Sequence, residues 1–77
     1  MKEYRYTIIL HPERDEGGYS VTVPALPGCF AQGETLEEAI ALAKEAIALH
    51  IAGLREAGEP VPEESDHPRA VIVDVAA

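Results

Sequence analysis

The chain has 77 residues, enough for one small domain, and its 14 acidic against 6 basic residues give it a net charge of −8. Nucleic-acid binding depends on Lys and Arg side chains that neutralise phosphates, so this charge argues against DNA, RNA and anionic lipid and favours a basic protein partner. Many soluble proteins carry such a charge for solubility alone. The single cysteine, Cys29, excludes an internal disulfide.

The sequence pattern predicts neither a signal peptide nor a membrane span. Residues 1–10 alternate between polar and apolar side chains, unlike the apolar core of a signal peptide. No apolar run approaches the roughly 20 residues that a spanning helix needs. We therefore expect a cytoplasmic protein.

Three short strands are predicted first. Residues 4–11 and 19–23 alternate with period two, and the Gly-Gly pair between them suits the turn of an antiparallel hairpin. A Pro-Gly pair marks a second turn before a third strand at 29–32.

A long helix follows the strands. Thr35 and Glu38 have the spacing of a capping box, and the helix is expected to run to about Ala57 with Gly58 beyond its end. Its core stripe has apolar residues at helical spacing. The members of this stripe are Leu36, Ile40, Ala43, Ile47, Ile51 and Leu54.

A second apolar stripe lies beside the core stripe. Its members are Leu42, Ala46, Leu49 and Gly53. Together the two stripes span nearly 200° of the helix, more than one sheet face can cover. The second stripe therefore predicts a homodimer or a higher even-numbered oligomer, unless residues 60–68 cover it within the chain.

After the helix, residues 59–69 predict an extended, acidic, Pro-rich connection, and residues 70–75 predict a last strand. The predicted fold class is therefore α+β, β-β-β-α-β, with one long helix packed on one face of an antiparallel sheet. Residues 1–77 form a single domain in this interpretation.

Several segments together resemble one protein family. They are Asp-Glu-Gly-Gly-Tyr at 15–19, Val-Pro-Ala-Leu-Pro-Gly-Cys at 23–29, Gln-Gly-Glu-Thr-Leu-Glu-Glu-Ala at 32–39, Ala-Lys-Glu-Ala at 43–46 and Gly-Glu-Pro-Val-Pro at 58–62. Their order and spacing resemble the HicB family of antitoxins and their stand-alone relatives.

The resemblance implies a truncated ribonuclease-H-like domain that binds and inhibits HicA, a small basic toxin that cleaves mRNA. Full-length relatives usually add a C-terminal DNA-binding module. This sequence ends two residues after the predicted last strand, so we expect no such module and no direct contact with nucleic acid. The alternative is a small oligomeric α/β binding module with an unknown ligand and no connection to a toxin.

No catalytic, metal or cofactor site is predicted. Ribonuclease-H-like catalysis needs carboxylates that converge on two metal ions, and only Asp74 falls within a predicted strand. His11, His50 and His67 lack the spacing of metal ligands. Cys29 is expected to be a buried small apolar residue.

The acidic residues near the end of the helix and in the connection are the predicted partner-facing set. They are Glu56, Glu59, Glu63, Glu64 and Asp66. An extended Pro-rich arm can lie across a neighbouring protein, whereas the more common explanation of such acidic groups is a solvated surface.

Overall fold

The computed structural model describes residues 3–77 as a three-stranded antiparallel sheet followed by one long helix. The strands are Ile9–Pro12 (β1), Tyr19–Thr22 (β2) and Phe30–Gly33 (β3), in the order β1-β2-β3. The helix, Leu36–Glu56 (α1), packs mainly on β3 and β2. The predicted α+β class and the long helix on one sheet face are confirmed.

Strand register divides the sheet into an inner and an outer face. Leu10 lies opposite Val21, and Val21 lies opposite Ala31, so these apolar side chains form one row beneath the helix. The next row, which by alternation faces outward, has Ile9 opposite Thr22, and Thr22 opposite Phe30. Phe30 is 67% exposed, so the outer face has an apolar side chain in solvent.

Two small clusters make up most of the core, and Ile51 of the helix is buried beside them. Val21 packs with Ala39 and Ala43 of the helix, whose small side chains let the helix approach the sheet closely. The second cluster consists of Val23, Leu26 and Cys29, from the end of β2 and the turn before β3. So few buried side chains leave little reserve of hydrophobic stabilisation, which is typical of a domain of this size.

The helix begins and ends as the sequence predicts, with one difference in the capping box. The Thr35 hydroxyl accepts a hydrogen bond from the Glu38 amide at 3.1 Å. The Glu38 carboxylate accepts from the amide of Glu34, at 2.9 Å, and not from that of Thr35. At the other end Gly58 has φ +72°, as expected of a residue just beyond a helix.

Close backbone approaches at the start of the helix explain two glycines, Gly33 and Gly18. A Cβ atom on Gly33 would lie 2.5 Å from the amide nitrogen of Ala39. Gly18 in turn approaches Gly33, and a Cβ on it would lie 2.4 Å from the Gly33 carbonyl oxygen. The hairpin, the end of β3 and the first turn of α1 are therefore in mutual backbone contact.

The last part of the chain differs from the prediction. Residues 59–69 are extended, as expected, but residues 70–75 form no strand within this chain, and all of them are exposed. A strand needs a partner to bond its amides and carbonyls, and this segment lies along neither edge of the sheet. The radius of gyration is 14.5 Å, against about 11.5 Å for a compact domain of this length. Together with the exposure of residues 70–77, this value is that of a domain with a projecting terminal segment.

Candidate protein-interaction surface

The acidic connection is anchored to the strand end of the domain. The Tyr6 hydroxyl donates to the carbonyl oxygen of Pro62 at 2.5 Å. The Thr7 amide donates to both carboxylate oxygens of Glu64, at 3.1 and 3.2 Å, and the Thr7 hydroxyl donates to one of them at 2.6 Å. His67 forms a further hydrogen bond to the same carboxylate. These contacts fix the path of the arm, residues 59–69, beside the beginning of the sheet.

The environment of Glu64 favours its ionised form. Its side chain is only 7% exposed. The hydrogen bond from the Thr7 hydroxyl is the main cause that lowers the pKa of this carboxyl below its ordinary value of 4.5. Partial desolvation opposes the shift, while His67 and the Thr7 amide add to it. Glu64 therefore acts as an internal clamp between the arm and the sheet.

The predicted partner-facing acids thus separate into two kinds. Glu64 is hydrogen-bonded within the chain, which gives it a structural role beside the predicted partner-facing one. The other four have exposed positions on the end of the helix and along the arm. These are Glu56, Glu59, Glu63 and Asp66. Sequence reasoning missed the Thr7–Glu64 pair because the two residues lie 57 positions apart and share no local pattern.

A second acidic region lies at the opposite end of the helix. Glu16 of the first hairpin turn and Glu34 and Glu38 of the helix start line one shallow depression of about 370 Å³. Asp15 and Glu37 are exposed neighbours of these residues in the chain. The sequence separates these acids into two groups, which the fold brings together.

The second apolar stripe of the helix is largely exposed in the single chain. Leu49 is 74% exposed and Leu42 and Gly53 are also exposed. Ala46 instead packs against the cluster of Val23, Leu26 and Cys29, so it belongs to the margin of the core. The arm runs to Tyr6 and Thr7 and leaves Leu49 uncovered. Intramolecular cover of the stripe is therefore not present.

An apolar groove runs between the helix and the first residues of the sheet. It measures about 540 Å³, and Tyr4, Tyr6 and Ile8 line one wall. Ile40, Ile47 and Ile51 line the other wall. The groove exists because the helix packs over β3 and β2 and not over the strand that follows these tyrosines. The sequence pattern does not predict this groove, because the apolar residues of both walls have the spacing of ordinary core residues.

The described part of the chain offers few groups for nucleophilic or metal chemistry. Cys29 is buried, as expected, and burial raises the pKa of its thiol, which disfavours the reactive thiolate. Among residues 3–77 no three His, Cys, Asp or Glu side chains gather in a way that could hold a metal ion. Across the same residues, no helix has the length and apolarity to cross a membrane.

Comparison with known proteins gives a consistent family. Residues 6–72 match the family described as HicB-like antitoxin of bacterial toxin–antitoxin systems. A UPF0150 protein of Thermoplasma acidophilum is 46% identical over 61 residues, which cover 79% of this chain and 87% of that protein. A UPF0150 protein of Synechocystis is 49% identical over 61 residues, covering 79% and 76%. Antitoxin HicB 1 of Photorhabdus laumondii is 37% identical over 62 residues, which cover 80% of this chain but 39% of that longer protein.

Proposed function

Since this chain belongs to the HicB-like antitoxin family of bacterial toxin–antitoxin systems, we propose that it binds a small basic toxin of the HicA type and blocks cleavage of mRNA. The observation that carries the proposal is the family match over residues 6–72, together with the similarity to Antitoxin HicB 1. In this role the protein is a cytoplasmic inhibitor. It acts by occupying the surface of the toxin that would otherwise bind RNA. It has no catalytic step of its own and no direct contact with operator DNA.

Charge supports this choice of partner. A protein that cleaves mRNA must hold a polyanion, so its RNA-binding surface is basic. This chain has a net charge of −8 and exposes most of its carboxylates. Opposite charges steer association and raise the rate at which the two proteins meet.

We assign the toxin-facing surface to the arm and the adjacent end of the helix. Glu59 and Asp66 are exposed there, on a segment whose path is fixed by the Glu64 clamp. A fixed path lowers the entropy cost of binding, because the arm is already ordered before the partner arrives. Glu56 and Glu63 complete this surface, while Glu64 contributes by holding it in place.

Self-association is the other part of the proposal. Leu42, Leu49 and Gly53 form the exposed helix stripe, with Ala46 at its edge. We assign this stripe to an interface between two copies, which leaves the arm of each copy accessible to a toxin. The expected assembly is a homodimer or a higher even-numbered oligomer.

Co-expression with the cognate toxin tests the proposal. The wild-type chain should restore growth to cells that produce the toxin and should form a complex with it at low salt. Absence of both rescue and complex would favour the alternative, an oligomeric binding module unconnected with a toxin, for which the apolar groove is the natural ligand site.

Two matched double variants test the assigned surface. Glu59→Lys with Asp66→Lys changes the arm, and Asp15→Lys with Glu16→Lys changes the hairpin turn by the same total charge. Both should slow association equally, since both reduce long-range attraction. Only the arm variant should also dissociate faster, by about tenfold, which corresponds to about 1.4 kcal/mol. Faster dissociation of the hairpin variant alone would place the toxin at the other acidic end.

A further inference from the structure

We propose that residues 70–75 form a β-strand in trans, by pairing with the free edge of β1 in a second copy of this chain. The proposal goes beyond toxin binding and concerns a different surface from the helix stripe. It arises from three features of the structure that match one another: an unpaired apolar tail, an open strand edge and an unfilled groove beside that edge.

The tail has the composition of a strand but no partner. Residues 70–75 are Ala-Val-Ile-Val-Asp-Val, four of the six being β-branched. Val71, Val73 and Val75 alternate with Ala70, Ile72 and Asp74, so a strand here has one face made only of valines. All three valines are at least 73% exposed and Ile72 is 96% exposed. Such a segment exposes apolar surface and backbone groups that a neighbouring strand edge would satisfy.

The acceptor edge is β1, whose outer side is unpaired in the sheet. The Glu13 amide donates to the carbonyl of Gly18, the residue opposite it, at 2.9 Å. Alternation along an antiparallel strand then directs the amides of Ile9 and His11 toward β2 and those of Ile8 and Leu10 toward the open edge. A fourth strand can therefore bond to Ile8 and Leu10 without displacing any existing ladder bond.

The groove gives the added strand something to bury. It lies next to this edge, between Tyr6 and Ile8 on one side and Ile40 and Ile47 on the other. A strand beside β1 would extend the sheet under this side of the helix and direct its inward face into the groove. The valine face of the tail fits there by its chemistry, whereas Ile72 and Asp74 would join the outer face that already carries Ile9.

The geometry favours a second copy over the chain's own tail. Glu64 is anchored at Thr7, two residues before β1 begins, and the first valine of the tail follows seven positions later. At about 3.3 Å per residue an extended arm reaches over 20 Å, whereas a four-residue strand is about 13 Å long. The contacts of Pro62 with Tyr6 and of Glu64 with Thr7 give the arm the same direction as β1. An extended continuation in that direction carries the tail past the end of its own strand, which agrees with the large radius of gyration.

Amide hydrogen exchange on the full-length chain tests the pairing at single residues. In the oligomer the amides of Ile8 and Leu10 should exchange at least about tenfold more slowly than unpaired amides, because they gain ladder partners. Ile9 and His11, which bond to β2, report that the fold is intact. Protection of Phe30 and Gln32, the outward amides of β3, in place of Ile8 and Leu10 would overturn the choice of edge.

Two neighbouring substitutions test the direction of the tail. Val73→Asp places a charge on the face assigned to the groove, and Ile72→Asp adds the same charge to the opposite face. Both side chains are exposed in the single chain, so neither change affects its core. Sedimentation velocity should show that Val73→Asp weakens self-association at least about tenfold more than Ile72→Asp, since only the former buries a charge. An equal effect, or the reverse order, would contradict the assigned faces.

Oligomeric state combined with exchange separates the remaining outcomes. An oligomer in which Ile8 and Leu10 are protected, and in which Val73→Asp both reduces the size of the assembly and removes this protection, supports strand exchange. A monomer with the same protection would mean that the tail folds back on its own sheet. A dimer without protection would mean that association uses another surface. Either of the last two results overturns the proposal.

Discussion

At the scale of single residues, Glu64 has a structural role that its neighbours in the sequence do not predict. It lies in a run of acids that reads as a solvated arm, yet its carboxylate accepts bonds from the Thr7 amide and hydroxyl. A backbone amide at a strand end must find an acceptor, and here the acceptor comes from 57 residues away. The hydrogen bonds of Glu64 therefore give a defined path to an arm whose composition is typical of a flexible segment.

Replacing this carboxylate should change how stability depends on pH. The folded-state pKa of Glu64 lies below its ordinary value of 4.5, so the ionised clamp stabilises the fold above that pH. This stabilisation is lost as the pH falls through the lowered folded-state pKa. Glu64→Gln should lower the midpoint of thermal unfolding at pH 7, and the difference from the wild type should shrink as the pH falls below 4.5.

Thermal unfolding followed by circular dichroism between neutral and acidic pH measures this effect. Glu59→Gln is the matched control, because it removes the same charge from an exposed position of the same arm. The control should leave the pH dependence close to that of the wild type. If the two variants behave alike, the clamp does not contribute to the stability of the fold in solution.

At the scale of elements, the helix shows what its sequence pattern predicts well and what it does not. The helix boundaries near Thr35 and Ala57 follow from capping interactions, which depend on a few neighbouring residues and can therefore be predicted from the sequence. Burial along the helix is less predictable. Leu36 fits the core spacing but is exposed at the first turn, while Ala46, assigned to the second stripe, packs on the core. Periodicity gives an angular position, but burial also depends on where the sheet ends beneath the helix.

The end of the chain shows a different limit of sequence reasoning. Alternation and β-branching at residues 70–75 describe a strand, but they do not say which edge supplies its partner. The single chain leaves this segment unpaired and exposed. Local composition thus predicts the conformation that a segment favours, whereas pairing depends on which strand edge the segment can reach.

Leu49→Glu tests the helix stripe as an interface. Leu49 is 74% exposed in the single chain, and Glu is nearly as good a helix former as Leu, so the fold should remain intact. Burying a Leu side chain is worth about 1.5–3 kcal/mol, and this gain is lost when a charge takes its place. Sedimentation should show a smaller assembly with unchanged helix content.

The control for this variant is Ala41→Glu, which adds the same charge to an exposed position away from the stripe. It should leave the assembly as in the wild type. Loss of stability in Leu49→Glu without any change in assembly would mean that the stripe is covered within the chain in solution.

At the scale of the whole molecule, one charge distribution acts on two associations in opposite directions. A net charge of −8 attracts a basic partner and repels a second copy of the same chain. The surfaces assigned to self-association are accordingly apolar: the helix stripe, the tail and the groove. In residues 70–77 the only charged side chain is Asp74. Self-association must therefore draw on hydrophobic burial and backbone pairing.

Salt should separate the two associations. Raising the ionic strength from about 0.05 M to about 0.5 M shortens the range of electrostatic forces well below the size of the domain. The rate of toxin binding should then fall by about tenfold or more, because steering is lost. Self-association should strengthen by a few-fold, because repulsion between like-charged copies is screened while apolar contacts are not. Stopped-flow mixing with the toxin and sedimentation of the chain alone measure the two responses. A toxin-binding rate that does not change with salt would show that the acidic surface does not steer the encounter. Self-association that weakens with salt would show that ion pairs, and not apolar contacts, hold the copies together.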